Sequence, residues 1–170
     1  MLSLALFIDK LEDVSDAVSA SKPGVMFRPP DYPGVLITPE ESTPNSTTGA
    51  LAFGHGKSCL LRWPEEAGAV AIEMYLVDLV DAPAKQSGVL LGAAVHSIPL
   101  DAAGATARVR RIKIQLRDVV GNAVAVLHGR CRCQHLGAAL LPHLHAGNLK
   151  EDKVANTSPA ASVMVPLPAS

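Results

Sequence analysis

Short aliphatic segments separated by Pro- and Gly-rich turns constrain the fold of this chain most strongly. Segments rich in Val, Leu, Ile and Ala recur from residue 1 to about residue 134, and many alternate between apolar and polar positions. The chain has 13 Gly and 13 Pro, which an all-β protein needs for its turns. No long segment of helical period precedes Gly137. The pattern predicts an antiparallel β-sandwich of about eight strands.

The predicted strands follow this pattern along the chain. Gly54-His55-Gly56 is interpreted as a turn between two short strands, and the charged residues 9–22 as a mobile stretch. Aromatic residues make up only 4% of the chain, so the core must be mainly aliphatic. The predicted strands are Met1–Ile8, Val25–Arg28, Val35–Thr38, Ala50–Phe53, Ser58–Trp63, Ala69–Leu79, Val89–Leu100, Ala107–Arg117 and Ala123–Gln134.

The chain of 170 residues is expected to form one domain followed by a tail. Residues 1–146 are assigned to the sandwich, in which Gly137–His145 forms a short helix or an apolar cap. Residues 147–170 are rich in Ser, Pro, Ala and Val and have no periodicity. They are expected to be disordered, or extended along a partner.

Charge and the terminal segment narrow the classes of function. The chain has 15 basic and 16 acidic side chains, which disfavours a nucleic-acid-binding protein because such proteins usually carry a basic excess. No basic segment precedes the apolar residues 1–8, and no apolar run approaches the length of a membrane span. Three cysteines do not make a disulfide framework. The expectation is a soluble, intracellular protein.

No motif in the chain indicates catalysis or a cofactor. Gly56-Lys57-Ser58 resembles the end of a phosphate-binding loop, but Leu51 stands where that motif requires its first glycine. There is also no nucleophile elbow of the Gly-x-Ser-x-Gly kind. We therefore expect a non-enzymatic protein without a cofactor.

Two groups of side chains are candidate metal ligands. On a strand, Cys131, Cys133 and His135 share one face, but zinc needs a fourth ligand that only Cys59 or the distant His143/His145 pair would supply. Core packing is the favoured interpretation of these cysteines. The candidate calcium ligands are isolated and lack Asp-x-Asp spacing, so calcium-triggered membrane binding is disfavoured. They are Asp78, Asp81, Asp101 and Asp118.

Basic residues cluster in two predicted strands. If the strands are neighbours, part of the cluster forms a positive patch that could dock on an acidic surface, such as tubulin's acidic tails or anionic lipid head groups. Alternation places Arg108 and Arg110 on one face of their strand, and Arg111 and Lys113 on the other. Only a bulge would therefore align all four. An ordinary solvated sheet face is the alternative interpretation. The residues are Arg108, Arg110, Arg111 and Lys113, with Arg130 and Arg132 in the other strand.

Several stretches resemble the N-terminal C2-like domain of the microtubule-associated protein 10 family and its ciliary relatives. The most specific is Phe53-Gly-His-Gly-Lys-Ser-Cys-Leu60, which is similar to a Phe-Gly-x-Gly-Lys-Ser-Cys-Leu element of the family. Leu2–Asp9 resembles the family's opening strand, and residues 90–100 resemble a strand common in C2-like domains. The closing hairpin, from Leu116 to Gly137, is also similar. These stretches span residues 1 to about 145.

The resemblance implies a C2-like sandwich and a non-catalytic, structural role on microtubules. It implies tubulin and other axonemal or cytoskeletal proteins as partners, and the cytoskeleton, in particular a ciliary or flagellar axoneme, as the location. A calcium-independent module that binds anionic membrane or a ciliary-base scaffold is the alternative, although a membrane partner is the less favoured one. The family offers no tubulin-contact residues to carry over, so the basic cluster remains an inference from the residues themselves.

Overall fold

The protein is an antiparallel β structure with one short helix. The computed structural model describes residues 1–40, 44–45, 47–62, 68–79, 89–101 and 107–136, and the backbone of residues 147–150. The single described helix is α1 (Asp16–Ser19), whose N-cap is Ser15. The described strands are β1 (Leu2–Glu12), β2 (Pro23–Arg28), β3 (Val35–Ile37), β4 (Leu51–Leu61), β5 (Ala69–Asp78), β6 (Val89–Pro99), β7 (Arg110–Arg117), β8 (Ala123–His135) and β9 (Gly147–Lys150).

The strands form one hydrogen-bonded ladder that divides into two halves. Its order is β3-β2-β5-β6-β7-β8-β1-β4-β9. The halves meet at a single pairing, Ala93 opposite Arg117, between β6 and β7. One core cluster includes buried side chains from both halves, for example Ile72 of β5 and Leu6 of β1. The two halves therefore pack as the layers of a β-sandwich, which confirms the predicted fold class.

Strand β1 lies inside its half of the ladder and is buried on both faces. It pairs with β4 on one side and β8 on the other, and all seven residues from Leu2 to Ile8 are buried. A continuous apolar sequence suits this position, because neither face meets solvent. The predicted strand is confirmed but runs on to Glu12, past a bulge between Ile8 and Lys10. Part of the stretch predicted to be mobile is thus regular structure.

The predicted turn at Gly54-His55-Gly56 is wrong, because β4 runs through it as one strand. Gly54 adopts a positive φ of 63°, which a glycine tolerates without strain. Gly56 lies opposite Phe7, where an added Cβ would come within 2.1 Å of the Leu6 carbonyl oxygen. Here glycine permits close approach of β1 instead of a reversal of the chain.

The region after residue 136 is described only in part. β9 pairs with β4 through Gly147 to Lys150, so the first four residues of the predicted tail extend the sheet. Residues 137–146 and 151–170 lie outside the described residues. The predicted helix or cap, the domain boundary and the rest of the tail therefore stay predictions.

Candidate interaction face on strands β1, β7 and β8

Strand β7 separates a buried apolar row from an exposed polar one. Ile112, Ile114 and Leu116 belong to the core, and the residues between them point away from it. We call the side of β1, β7 and β8 that is turned away from the core the outer face. The exposed residues that β7 contributes to it are Arg111, Lys113, Gln115 and Arg117.

The pairing of β7 with β8 places two arginines opposite one another on the outer face, and a lysine opposite a histidine. Arg111 lies opposite Arg130, and Lys113 lies opposite His128. Like charges directly opposite one another across a sheet are destabilising. The fold therefore keeps an arrangement that costs stability.

Next to β7, Arg130 is held by two partners from β1. Its Nη2 lies 3.2 Å from Asp9 Oδ1, and its guanidinium carbon lies 4.2 Å from the centroid of the Phe7 ring. Phe7 is fully buried although it belongs to the outer face, where, among the described residues, it shares its cluster with Ala5. The bulge before Lys10 turns Asp9 toward this arginine. Arg130 thus packs as part of the fold.

Further along β1 and β8, the side chains of Lys10, Glu12 and His128 lie together. The Lys10 ammonium donates to the carboxylate of Glu12, and His128 Nε2 lies 2.7 Å from the same carboxylate. The pKa of Glu12 lies below its usual value, chiefly because of the hydrogen bond from Lys10. We call Phe7, Asp9, Lys10, Glu12, His128 and Arg130 the paired half of the outer face.

Arg111 and Lys113 differ from the paired half. Within the described part of the chain, neither side chain has an acidic partner. We call these two residues the open row. Together with Asp9, Lys10, His128 and Arg130 they line a shallow depression of about 490 Å³. The depression thus combines charges that pair within the fold on one side with two exposed cations that have no acidic partner in the described part of the chain on the other.

The structure distributes the six predicted basic residues over several environments. β7 and β8 are neighbours, and Arg111, Lys113 and Arg130 do lie together. Arg108 precedes β7 instead of belonging to it. No bulge interrupts the pairing from 110 to 116, so Arg110 stays on the other face. Whether any of the six contacts a partner stays a prediction.

Besides Arg130, two more of the six are held by the fold itself. The Nη2 of Arg110 binds Asp101 Oδ1 at 2.7 Å. Arg132 is only 4% exposed, and this burial lowers its pKa. Both residues are less exposed than Arg111.

The cysteines pack in the core, as the favoured interpretation predicted. Cys131 and Cys133 follow one face of β8, and Cys59 lies across β1 from Cys133, since both are opposite Leu4. Burial raises the thiol pKa to about 12 for Cys59, about 11 for Cys131 and about 12 for Cys133. In this protonated, buried form the three thiols behave as small apolar side chains of the core. His135 ends the same strand.

The candidate calcium ligands that the structure describes have other partners. Asp118 accepts hydrogen bonds from three backbone N–H groups of its own turn, at Val120, Gly121 and Asn122. These bonds, that of Asn122 first, lower the pKa of Asp118. Asp101 pairs with Arg110, and Asp78 accepts from the Lys22 N–H. Asp81 lies outside the described residues.

The β7–β8 hairpin also carries a feature that the sequence pattern did not predict. Val119 and Val120, at its tip, are 90% and 80% exposed. Arg117 donates to the Gly121 carbonyl oxygen, so a cation lies at the base of this apolar tip. An aliphatic pair in the sequence is expected in a core, and only the tight Asp118–Asn122 turn hints at exposure.

The opposite layer has its own depression, of about 660 Å³, beside the Pro-rich loop after β2. Its basic residue, Arg28, pairs with Glu73, and its guanidinium carbon lies 5.6 Å from the centroid of the Tyr75 ring. Charge there is balanced locally.

Among the described residues, no helix is long and apolar enough to cross a membrane.

The fold is that of a C2-like sandwich, as solved structures show. Similar folds include a C2 domain of a plant extended synaptotagmin 1, with a TM-score of 0.57 and 11% identity over 80% of this chain and 96% of that one. A C2 domain protein from Ramazzottius varieornatus gives 0.52 and 10% over 84% and 94%. A human GIVD cytosolic phospholipase A2 gives 0.52 and 12%, over 85% of this chain and only 18% of that enzyme. At such identities the likeness shows the fold alone.

Sequence comparison adds a narrower likeness. The chain is 40% identical over 63 residues to microtubule-associated protein 10 of Rattus norvegicus, and 42% identical over 65 residues to that of Mus musculus. Each match covers 36% of this chain and 7% of the relative. The chain therefore matches a small part of much longer proteins. No family model matches it.

Proposed function

We propose that the chain is a non-catalytic interaction module that docks through the open row on the acidic surface of microtubules. The observation that carries the proposal is the state of Arg111 and Lys113. Both are exposed, both lack an acidic partner among the described residues, and both face cationic or titratable residues across the strand. An external anion would relieve this repulsion and supply the missing partner.

The similarity to microtubule-associated protein 10 supports a microtubule as the source of that anion. A protein of the cytoskeleton, and in particular of a ciliary or flagellar axoneme, fits this proposal. Neighbouring axonemal proteins would then be further partners of the same module. The buried thiols and the turn-bound Asp118 carboxylate support a binding role without catalysis, because they leave no activated nucleophile or cation site in these places.

Cosedimentation with stabilised microtubules at low salt tests the proposal. Wild type should pellet with microtubules, and Arg111→Glu/Lys113→Glu should stay in the supernatant. Lys22→Glu/Arg62→Glu is the matched control, because it also replaces one Lys and one Arg by Glu at exposed positions, outside the basic cluster. Equal pelleting of both double variants would contradict docking through the open row. A wild type that never pellets would contradict microtubule binding itself.

An anionic membrane is a second candidate partner, and the hairpin tip favours it. Val119 and Val120 could enter the bilayer interface while Arg117 contacts lipid head groups. Flotation with phosphatidylserine vesicles, with and without calcium, tests this candidate. Calcium-independent flotation that is lost in Val119→Asp/Val120→Asp would support it, and absence of flotation by the wild type would exclude it.

A further inference from the structure

At one edge of β7, most backbone N–H and C=O groups do not pair with any described strand. β7 pairs with β8 along its whole length but with β6 at one position only, Ala93 opposite Arg117. In an antiparallel sheet, alternate residues direct their N–H and C=O groups toward each neighbouring strand. In residues 110–116, half of these groups therefore point to the side where the described ladder is interrupted. We call this side the β7 edge.

The β7 edge is fixed at both of its ends. At one end, Ala93 of β6 pairs with Arg117. At the other, Asp101, which follows β6, binds Arg110 at 2.7 Å and accepts from the Arg108 N–H at 3.3 Å. Between these contacts β6 and β7 do not pair. A strand edge that is held in this way needs little ordering before it accepts a partner, which lowers the entropic cost of binding.

The open row lies along the β7 edge. Arg111 and Lys113 are two residues apart, so both side chains project from the outer face. A strand added to this edge would place every second side chain beside them, with Cβ atoms about 4.5–5.5 Å from those of β7. Its other side chains would lie beside Ile112 and Ile114, which are buried. The edge therefore suits an extended segment in which carboxylates alternate with aliphatic residues.

We propose that the β7 edge binds an extended acidic peptide segment as an additional strand, with alternate carboxylates paired to Arg111 and Lys113. This inference rests on the proposed function, because it states the form in which an acidic partner meets the same face. Backbone pairing supplies affinity in strand addition, and the alternate side chains supply specificity. Cations on an edge strand have a competing explanation, since they also keep sheets from pairing with each other.

A synthetic peptide in which Glu alternates with Val is the probe, and its affinity for the full chain is measured by fluorescence anisotropy. Two versions carry N-methyl groups, one on every Glu and one on every Val. In an added strand, the N–H groups of either the Glu residues or the Val residues face β7, but not both sets. The version methylated on the facing set should therefore lose several hydrogen bonds and at least about tenfold in affinity. The other version should bind like the parent. A peptide of the same composition with Glu and Val in separate blocks should also bind at least about tenfold more weakly.

Variants of the protein test the side-chain part of the inference. Arg111→Glu/Lys113→Glu should lose at least about tenfold in affinity for the parent peptide, whereas Lys22→Glu/Arg62→Glu should stay within about twofold. A peptide in which Lys alternates with Val should bind the first variant in preference to wild type. Binding of this Lys-Val peptide would show that the variant is folded. If the variant has a native amide spectrum but does not bind the Lys-Val peptide, pairing at these two positions is contradicted.

The outcomes separate this inference from the proposed function. If both methylated peptides bind like the parent, strand addition is wrong, although acidic chains could still dock on the open row. If no alternating peptide binds at all, the cations only protect the edge and the inference is overturned. If the peptides behave as expected but microtubules do not bind, the inference stands and the proposed partner is wrong.

Discussion

The paired half and the open row lie on the same face and on neighbouring strands, yet their charged side chains differ in their partners. In the paired half, Arg130 meets Asp9 and the ring of Phe7, and Glu12 meets Lys10 and His128. In the open row, Arg111 and Lys113 have no acidic partner among the described residues. The first group stabilises the sheet, and the second remains available to another molecule. A patch of positive charge is therefore not a single functional unit.

The largest effect is expected from Phe7→Ala in the paired half. Phe7 is fully buried, and removing a buried aromatic side chain costs about 3–5 kcal/mol. Urea unfolding measures the change in the free energy of unfolding. Val95→Ala is the control, because Val95 is 71% exposed and should change stability by less than about 0.5 kcal/mol. Equal losses in the free energy of unfolding for the two variants would show that the packing of Phe7 on the outer face does not stabilise the fold.

A smaller loss is expected from Arg130→Ala. The contact with Phe7 and the partly exposed ion pair with Asp9 together predict a loss of about 1–2 kcal/mol in the free energy of unfolding. Combining this variant with Phe7→Ala should give less than the sum of the two losses, since the residues touch. Additive losses would contradict stacking of the guanidinium on the ring.

The pKa of Glu12 offers a finer measure of the paired half. It is lowered mainly by the hydrogen bond from Lys10, so ionised Glu12 stabilises the folded state above the pKa of the unfolded chain. That contribution disappears as the pH falls through the lower pKa of the folded chain. NMR titration of the Glu12 carboxyl should show an upward shift in Lys10→Met and a smaller one in Lys113→Met. A larger shift in Lys113→Met than in Lys10→Met would mean that the open row, and not the paired half, sets the pKa of Glu12.

The smallest effect on stability is expected in the open row. Arg111→Ala and Lys113→Ala should each change the free energy of unfolding by less than about 0.5 kcal/mol, and Arg111→Ala should be neutral or stabilising because it removes the repulsion by Arg130. Thermal and urea unfolding check this result. Destabilisation by more than about 1 kcal/mol would identify the open row as a structural element.

The sequence predicted the fold because apolar alternation depends on which face of a strand is buried. The strands at residues 69–79 and 123–134 were located to within a residue or two of β5 and β8. Glycine was misread at positions 54–56, because close approach of β1 and a tight turn both require a residue without a side chain. Only the register of β1 against β4 distinguishes the two cases.

The candidate site was predicted only in part. Alternation correctly placed Arg111 with Lys113 and separated them from Arg110. It did not reveal that Asp9 and Phe7 hold Arg130 or that Arg132 is buried, because these contacts depend on the order of β7, β8 and β1. The exposed valines at 119 and 120 were missed for a related reason, since hydrophobicity alone does not indicate exposure at a hairpin tip.

Hydrogen exchange of the chain on microtubules is the most direct test of the claim that the open row is the docking surface. Amide exchange is compared between the free chain and the chain bound to stabilised microtubules at low salt. Slower exchange should be confined to β7 and its neighbours on the outer face, with β2 and β5 around Arg28 and Glu73 unchanged. Protection of the β2–β5 layer with none on β7 would contradict the account.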